Sequence, residues 1–269
     1  MIKLVAFDID DTLTKKADTV SPGNLAAIRR AQDAGVFVTL ATGRGLLGST
    51  PIWKALGIEG PVVNYGGSVV NDTRTGKALH TASLKPEDVA ELFSLSHELG
   101  VHAQLYQGDT VVYERENEYA VRYKSFLGLP FRIVPDLTDR RWENVPKVLF
   151  IARSDRADAL IPMLQRRYEG RFKVSGSKAG FIEFNDPGAH KGSALKWAAD
   201  HMGFSRDEVA AMGDNLLDVE MIRWAGTGCA VADAHEEALG AADVVAPRCE
   251  DDGAAWFIDN VVLKGRRDG

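Results

Sequence analysis

The stretch LVAFDIDDTLT, residues 4–14, passes within a few positions from a buried-looking strand to a cluster of acid. Leu4, Val5, Ala6 and Phe7 form a strand-sized apolar run, and Asp8, Asp10 and Asp11 follow at once. Carboxylates held so close repel one another unless a cation, a proton or a substrate relieves them. The end of the first strand is therefore the first candidate for a functional site.

Outward from that point, residues 4–67 read strand, helix, strand, helix, strand. Ser21 offers an N-cap side chain, Pro22 suits the first helical position, and Leu25, Ala26, Ile28 and Ala31 recur at helical spacing until Gly35. Residues 36–41 are a continuous apolar run with β-branched members, a strand buried on both faces. Residues 61–63 begin a third strand. The same grammar returns late in the chain, with a helix at 191–202, a strand at 208–212 running into Gly213 and Asp214, a helix at 218–225, and strands at 228–232 and 244–245. Strands alternating with helices imply a parallel sheet with helical crossovers. The middle differs: strands at 101–106 and 110–113 suit a hairpin, strands at 147–152 and 181–184 join them, and helices fall at 86–99 and 156–169. The expected fold class is α/β, a parallel-sheet core from residues 1–82 and 188–269 with an α+β domain inserted at 83–187.

Composition limits the function. The chain has 269 residues, 45% of them hydrophobic, enough for a full core in one large domain or two smaller ones. A net charge of −6 and the lack of a long Lys/Arg block argue against a nucleic-acid surface, and Arg166, Arg167 and the basic tail at 264–267 read as solvated ends. No apolar run approaches the roughly 20 residues of a membrane helix. Met1 leads almost directly into the first strand, with no room for a leader, so a cytoplasmic location is expected. Cys229 and Cys249 are the only cysteines and lack metal spacing, which makes them reduced thiols rather than a disulfide or a zinc site.

In an open parallel sheet, ligands bind at the carboxyl ends of the strands. Asp8 and Asp10 follow the first strand, Thr42, Gly43 and Arg44 the second, and Asp214 the strand near the C-terminus. Lys191 opens a helix, where the helix dipole disfavours a cation, and that misplacement points to a role in the site. Asp8 and Asp10, at i and i+2, point the same way roughly 7 Å apart if extended. With Asp214 they make an all-oxygen site of the kind magnesium prefers. Lys191 would balance the remaining charge and hold phosphoryl oxygens, while Thr42 and nearby backbone N–H groups donate hydrogen bonds. The set suits phosphoryl transfer. His190 reads as a turn residue, and Trp197, Trp224 and Trp256 fall on apolar helical faces and read as core. Tyr106, Tyr113, Tyr119 and Arg122 suit a substrate surface or ordinary packing equally.

Four motifs then carry a resemblance: DIDDT at 8–12, ATGR at 41–44, HKGSAL around Lys191, and GDNLLDVEM with Asp214 and Asp218. In order and separation they resemble the haloacid dehalogenase superfamily, within it the Cof-like sugar-phosphatase branch with a large type IIB cap. The resemblance implies a Rossmann-like core, with the inserted domain as a cap that closes over the site. It implies that Asp8 attacks phosphorus to form an aspartyl-phosphate and that Asp10 protonates the leaving alcohol, then deprotonates water. It also implies magnesium held by the Asp8 carboxylate, the Asp10 backbone carbonyl and Asp214, with phosphate on Thr42, Gly43 and Lys191, substrate on Arg44, and a sugar phosphate or phosphoglycolate as substrate. Three positions depart from the pattern: Asp11 stands where glycine is most common, Gly66 aligns with a common asparagine, and Leu217 replaces an asparagine that commonly supports the metal site. Asn215 is expected to supply some of that lost hydrogen bonding, with Asp218 orienting Lys191. The rival readings are a phosphomutase using the same aspartyl-phosphate, a phospho-accepting signalling module, and a noncatalytic binder.

Overall fold

A computed structural model describes residues 1–15, 19–127 and 129–264; the tail reading at 265–267 lies outside them. The chain divides into two compact units, Met1–His80 with His190–Gly269, and Thr81–Ala189. In chain order the first part runs β1 (Leu4–Phe7), α1 (Pro22–Asp33), β2 (Phe37–Leu40), α2 (Leu46–Ala55), β3 (Pro61–Asn64), β4 (Val69–Asp72) and β5 (Ala78–Thr81). There follow α3 (Pro86–Leu99), β6 (His102–Gln107), β7 (Thr110–Tyr113), α4 (Glu118–Leu127), β8 (Phe131–Ile133), β9 (Val148–Ile151), α5 (Ser154–Arg167), β10 (Lys173–Ser175) and β11 (Phe181–Asn185). The last part holds α6 (Lys191–Met202), β12 (Val209–Gly213), α7 (Val219–Trp224), β13 (Thr227–Val231), α8 (Glu236–Ala241), β14 (Val244–Ala246) and α9 (Gly253–Phe257).

The first unit is built on a five-stranded parallel sheet ordered β14-β13-β12-β1-β2. Successive side chains of a strand point to opposite faces, and here both faces are covered. Val5, Phe7, Val38, Leu40 and Met212 pack with Ala27 and Ile28 of α1 and Phe257 of α9. Leu4, Ala6, Val209 and Ala211 pack on the other side with Leu195 and Ala198 of α6 and Met221 and Ile222 of α7. Local signals set the helix limits. The Ser21 hydroxyl accepts from Asn24 N–H at 3.1 Å to start α1, and Gly35, at φ +77°, follows its end. Phe7 lies opposite both Met212 and Leu40, so β1, β2 and β12 end level at one edge.

One expected strand behaves differently. Instead of extending the parallel sheet, β3 pairs antiparallel with β4 in a separate three-stranded sheet ordered β3-β4-β5. It touches β2's end through an Ala41–Val63 bridge and a 2.9 Å bond from Thr42 N–H to the Val63 carbonyl. The tight turn at Tyr65–Gly67 reverses the chain before β3 can lengthen.

The second unit carries a six-stranded sheet ordered β10-β11-β9-β6-β7-β8. One face, with Leu105, Phe150 and Phe184, packs against Val89, Leu92 and Phe93 of α3 and Leu164 of α5. The other is polar: His102 Nδ1 accepts from Asn117 Nδ2 at 3.0 Å, His102 Nε2 meets Gln104 Oε1 at 3.2 Å, and Gln104 Nε2 donates to the Tyr106 hydroxyl at 2.9 Å. Tyr106 and Tyr113 are fully buried. Trp256 corrects another expectation, since it stands 38% exposed at the surface. Trp197 and Trp224 are half-buried against the core.

Candidate active site

Asp8 immediately follows β1, and its N–H donates to the Met212 carbonyl at 2.9 Å, fixing it beside the end of β12. Lys191 is the first residue of α6, only 2% exposed, and its Nζ donates to Asp8 Oδ1 at 2.7 Å and to Asp218 Oδ1 at 2.5 Å. Asp218 Oδ2 accepts the N–H groups of Asp214 at 3.1 Å and Asn215 at 3.0 Å. Gly213 makes room for this, because a Cβ there would lie 2.4 Å from Asp218 Cβ. His190 is the N-cap of α6, its Nδ1 accepting from Ser193 N–H at 3.1 Å.

The electrostatics follow from burial. Desolvation raises the Asp8 pKa well above the usual carboxylate range despite the pull of Lys191, and the charges of Asp218 and Asp214 push the same way. Asp214 is pushed up to about 6, first by burial and then by Asp218. Lys191 stays charged: its two carboxylates outweigh the cost of burying it and raise its pKa.

One oxygen from each of Asp8, Asp214 and Asp218 lies within 4.8 Å of the others, an all-carboxylate set. Asp218 is already committed to Lys191 and two N–H groups, so the oxygens open to a cation belong to Asp8 and Asp214. Hard oxygen donors whose charges are mutually unfavourable fit a hard divalent ion.

The second cluster lies on the loops after β1 and β2. Arg44 grips Asp10 with a fork, Nε to Oδ2 at 2.9 Å and Nη2 to Oδ1 at 2.6 Å, on a side where the Asp10 side chain is 59% exposed. Thr42 is buried; its N–H goes to Val63, and its hydroxyl accepts from Arg44 N–H at 3.2 Å. Two of the backbone donors expected to serve phosphate are thus used internally, and Gly43 is exposed between them. Asp11 has φ +62°, a left-handed conformation that glycine adopts freely and aspartate tolerates.

One expectation changes. Asn215 is exposed, and its side-chain oxygen turns back to accept from Leu216 N–H at 2.7 Å, so it does not support Asp214. That support comes from Thr12, whose hydroxyl donates to Asp214 Oδ1 at 2.8 Å across 202 residues of sequence. The only signal for Thr12 was its place in DIDDT.

A doubly wound core with Asp8, Lys191, Asp214 and Asp218 at one sheet edge defines a class of enzyme. The chain belongs to the haloacid dehalogenase-like hydrolase family, whose profile matches residues 5–258. It is a phosphatase of that type. YxeH of Bacillus subtilis is 30% identical over 98% of this chain and 99% of its own. The 5-amino-6-(5-phospho-D-ribitylamino)uracil phosphatase YcsE of the same organism is 28% identical, covering 97% of this chain and 96% of its own. Among solved structures, a haloacid dehalogenase-like hydrolase from Bacteroides thetaiotaomicron matches with TM-score 0.85 and 27% identity, over 97% of this chain and all of that one. No helix among the described residues is long and apolar enough to cross a membrane.

Proposed function

We propose that the protein is a magnesium-dependent phosphomonoesterase that hydrolyses a small phosphorylated metabolite of the sugar-phosphate class through an aspartyl-phosphate on Asp8. The observation that carries this reading is Lys191, which bonds both Asp8 and Asp218 from a buried position at the head of α6. A relative that acts on a phosphorylated ribityl chain supports the substrate class.

Asp8 attacks phosphorus as the bond to the leaving alcohol breaks, and Asp10 gives that alcohol its proton. Asp10 then takes a proton from water as the water's oxygen displaces Asp8 and frees phosphate. Lys191 holds Asp8 in line and offsets charge on the phosphoryl oxygens. Thr42 and Gly43 line the phosphate site. Arg44 faces a substrate anion as readily as Asp10, and exchanging one fork for the other releases the Asp10 carboxyl for proton transfer. Asp8, Asp214 and the Asp10 backbone carbonyl would hold magnesium. When bound, it would neutralise the acidic pair and polarise the phosphoryl group.

The purified protein with magnesium is expected to release phosphate from p-nitrophenyl phosphate and from members of a sugar-phosphate panel. Asp8→Asn should abolish turnover, a loss of about 10³-fold or more, while leaving the unfolding transition in place. Wild-type protein that released no phosphate would sink the proposal, and an isomeric sugar phosphate in place of free phosphate would convert it to a mutase.

A further inference from the structure

The turn at Tyr65–Gly67 lies between two parts of the site and touches both. All three residues have left-handed backbone, with φ +51°, +65° and +105°. For tyrosine that conformation is strained and persists only where the surroundings over-determine it. The surroundings here are specific. Tyr65 N–H donates to the Arg44 carbonyl at 3.0 Å, Asn64 Nδ2 donates to the same oxygen at 3.1 Å, and Gly66 N–H donates to the Thr42 carbonyl at 3.0 Å. Asn71 Nδ2 secures Asn64 Oδ1 from behind at 2.9 Å. The turn therefore holds the 42–44 loop by its carbonyls.

Its other side lies against α6. A Cβ on Gly67 would sit 2.2 Å from both the carbonyl carbon and oxygen of His190 and 2.7 Å from Lys191 N. These are backbone atoms at the head of the helix that carries Lys191, and they cannot swing aside as the end of a side chain can. A methyl group there has to displace the start of α6.

We propose that this turn is a positioning element that spaces the 42–44 loop from Lys191, and that Gly67 permits the spacing by having no side chain. The proposal rests on the reading of Asp8 and Lys191 as working parts of a phosphatase. Lys191 reaches two carboxylates at once, so a shift of its helix breaks a geometry that has no slack, and a misplacement of about 1 Å can cost ~10²-fold in rate.

The test compares Gly67→Ala with Gly35→Ala, which brings similar left-handed strain to the end of α1, where nothing lies within 4 Å of the added Cβ. Gly67→Ala is expected to lose more thermal stability than Gly35→Ala, since it adds a backbone clash to the strain, and only Gly67→Ala should lose kcat, by about 100-fold, with KM for p-nitrophenyl phosphate and magnesium affinity near wild type. Wild-type kcat in Gly67→Ala overturns the proposal. If that variant does not fold, Asn64→Ala reads the other end of the turn: KM should rise roughly threefold to tenfold at constant kcat, and an unchanged KM overturns it. If the wild-type protein itself releases no phosphate, the phosphatase reading fails separately, and a crystal structure of Gly67→Ala decides. Lys191 Nζ displaced from Asp8 supports the positioning role; Lys191 in place overturns it.

Discussion

Thr12 is fully buried, and its hydroxyl donates to Asp214 Oδ1. That bond holds one oxygen of Asp214 and so orients the carboxylate, the role that partners of metal-binding carboxylates commonly fill. Thr12→Ala is expected to weaken magnesium binding about tenfold by titration calorimetry, and Thr12→Ser to recover most of it. Equal affinity in all three proteins would show that Asp214 needs no such support. That bond leaves no mark in the sequence, for a physical reason. Acidic residues at strand ends announce themselves by their cost, as do Asp8 and a lysine at a helix head, whereas a threonine is unremarkable anywhere. The fork from Arg44 to Asp10 was hidden in the same way, since it joins residues 34 apart with no local periodicity to mark it.

At the scale of elements, α6 is where sequence and structure meet most closely. Its span of Lys191–Met202 follows from the apolar spacing and from Gly203 at its end, which sits at φ +77°. Its second residue, Gly192, faces α7 so closely that a Cβ would lie 2.6 Å from the Glu220 carbonyl oxygen. Gly192→Ala should therefore cost about 1–3 kcal/mol in urea unfolding, because a helix backbone has to move to admit the methyl group. A loss below a few tenths would mean that α6 and α7 are free to slide. Elements with strong periodicity and caps, such as α1 and α3, could be read from the chain, and so could the parallel alternation around β1, β2 and β12. The β4–β5 hairpin could not. α4 carries the usual marks, Asn117 as a cap accepting from Ala120 N–H at 2.9 Å and Tyr119, Ala120, Tyr123, Phe126 and Leu127 at helical spacing in the sequence, though the expected elements do not include it. The antiparallel path of β3 was equally hidden, because it depends on three successive left-handed residues of which the first is a tyrosine.

Across the whole molecule, the two units should respond to pH in opposite directions. In the first, Asp214 titrates near 6 instead of the usual 3.8 and burial raises Asp8 as well. Between those values the folded protein binds protons that the unfolded chain does not, so the metal-free unit loses stability as pH rises from about 4 through 6. In the second, His102 is depressed below its ordinary value of 6.5, first by burial and then by the charge of Arg115, against the pull of its Gln104 bond. There the unfolded chain binds the proton first, so stability is full above 6.5 and falls as pH drops toward the depressed value. Magnesium reverses only the first slope, since it binds the ionised carboxylates and competes with protons; at 100 times its Kd it adds about 2.7 kcal/mol. Hydrogen exchange resolves the units through the amides of β1 and β12 on one side and of β6 and β9 on the other. In chelator, protection of the first pair should fall between about pH 4.5 and 6.5 while that of the second rises. With saturating magnesium both should rise. If the β1 and β12 amides in chelator instead gained protection with pH, Asp8 and Asp214 would not be straining against each other, and the electrostatic argument for a divalent ion between them would lose its basis.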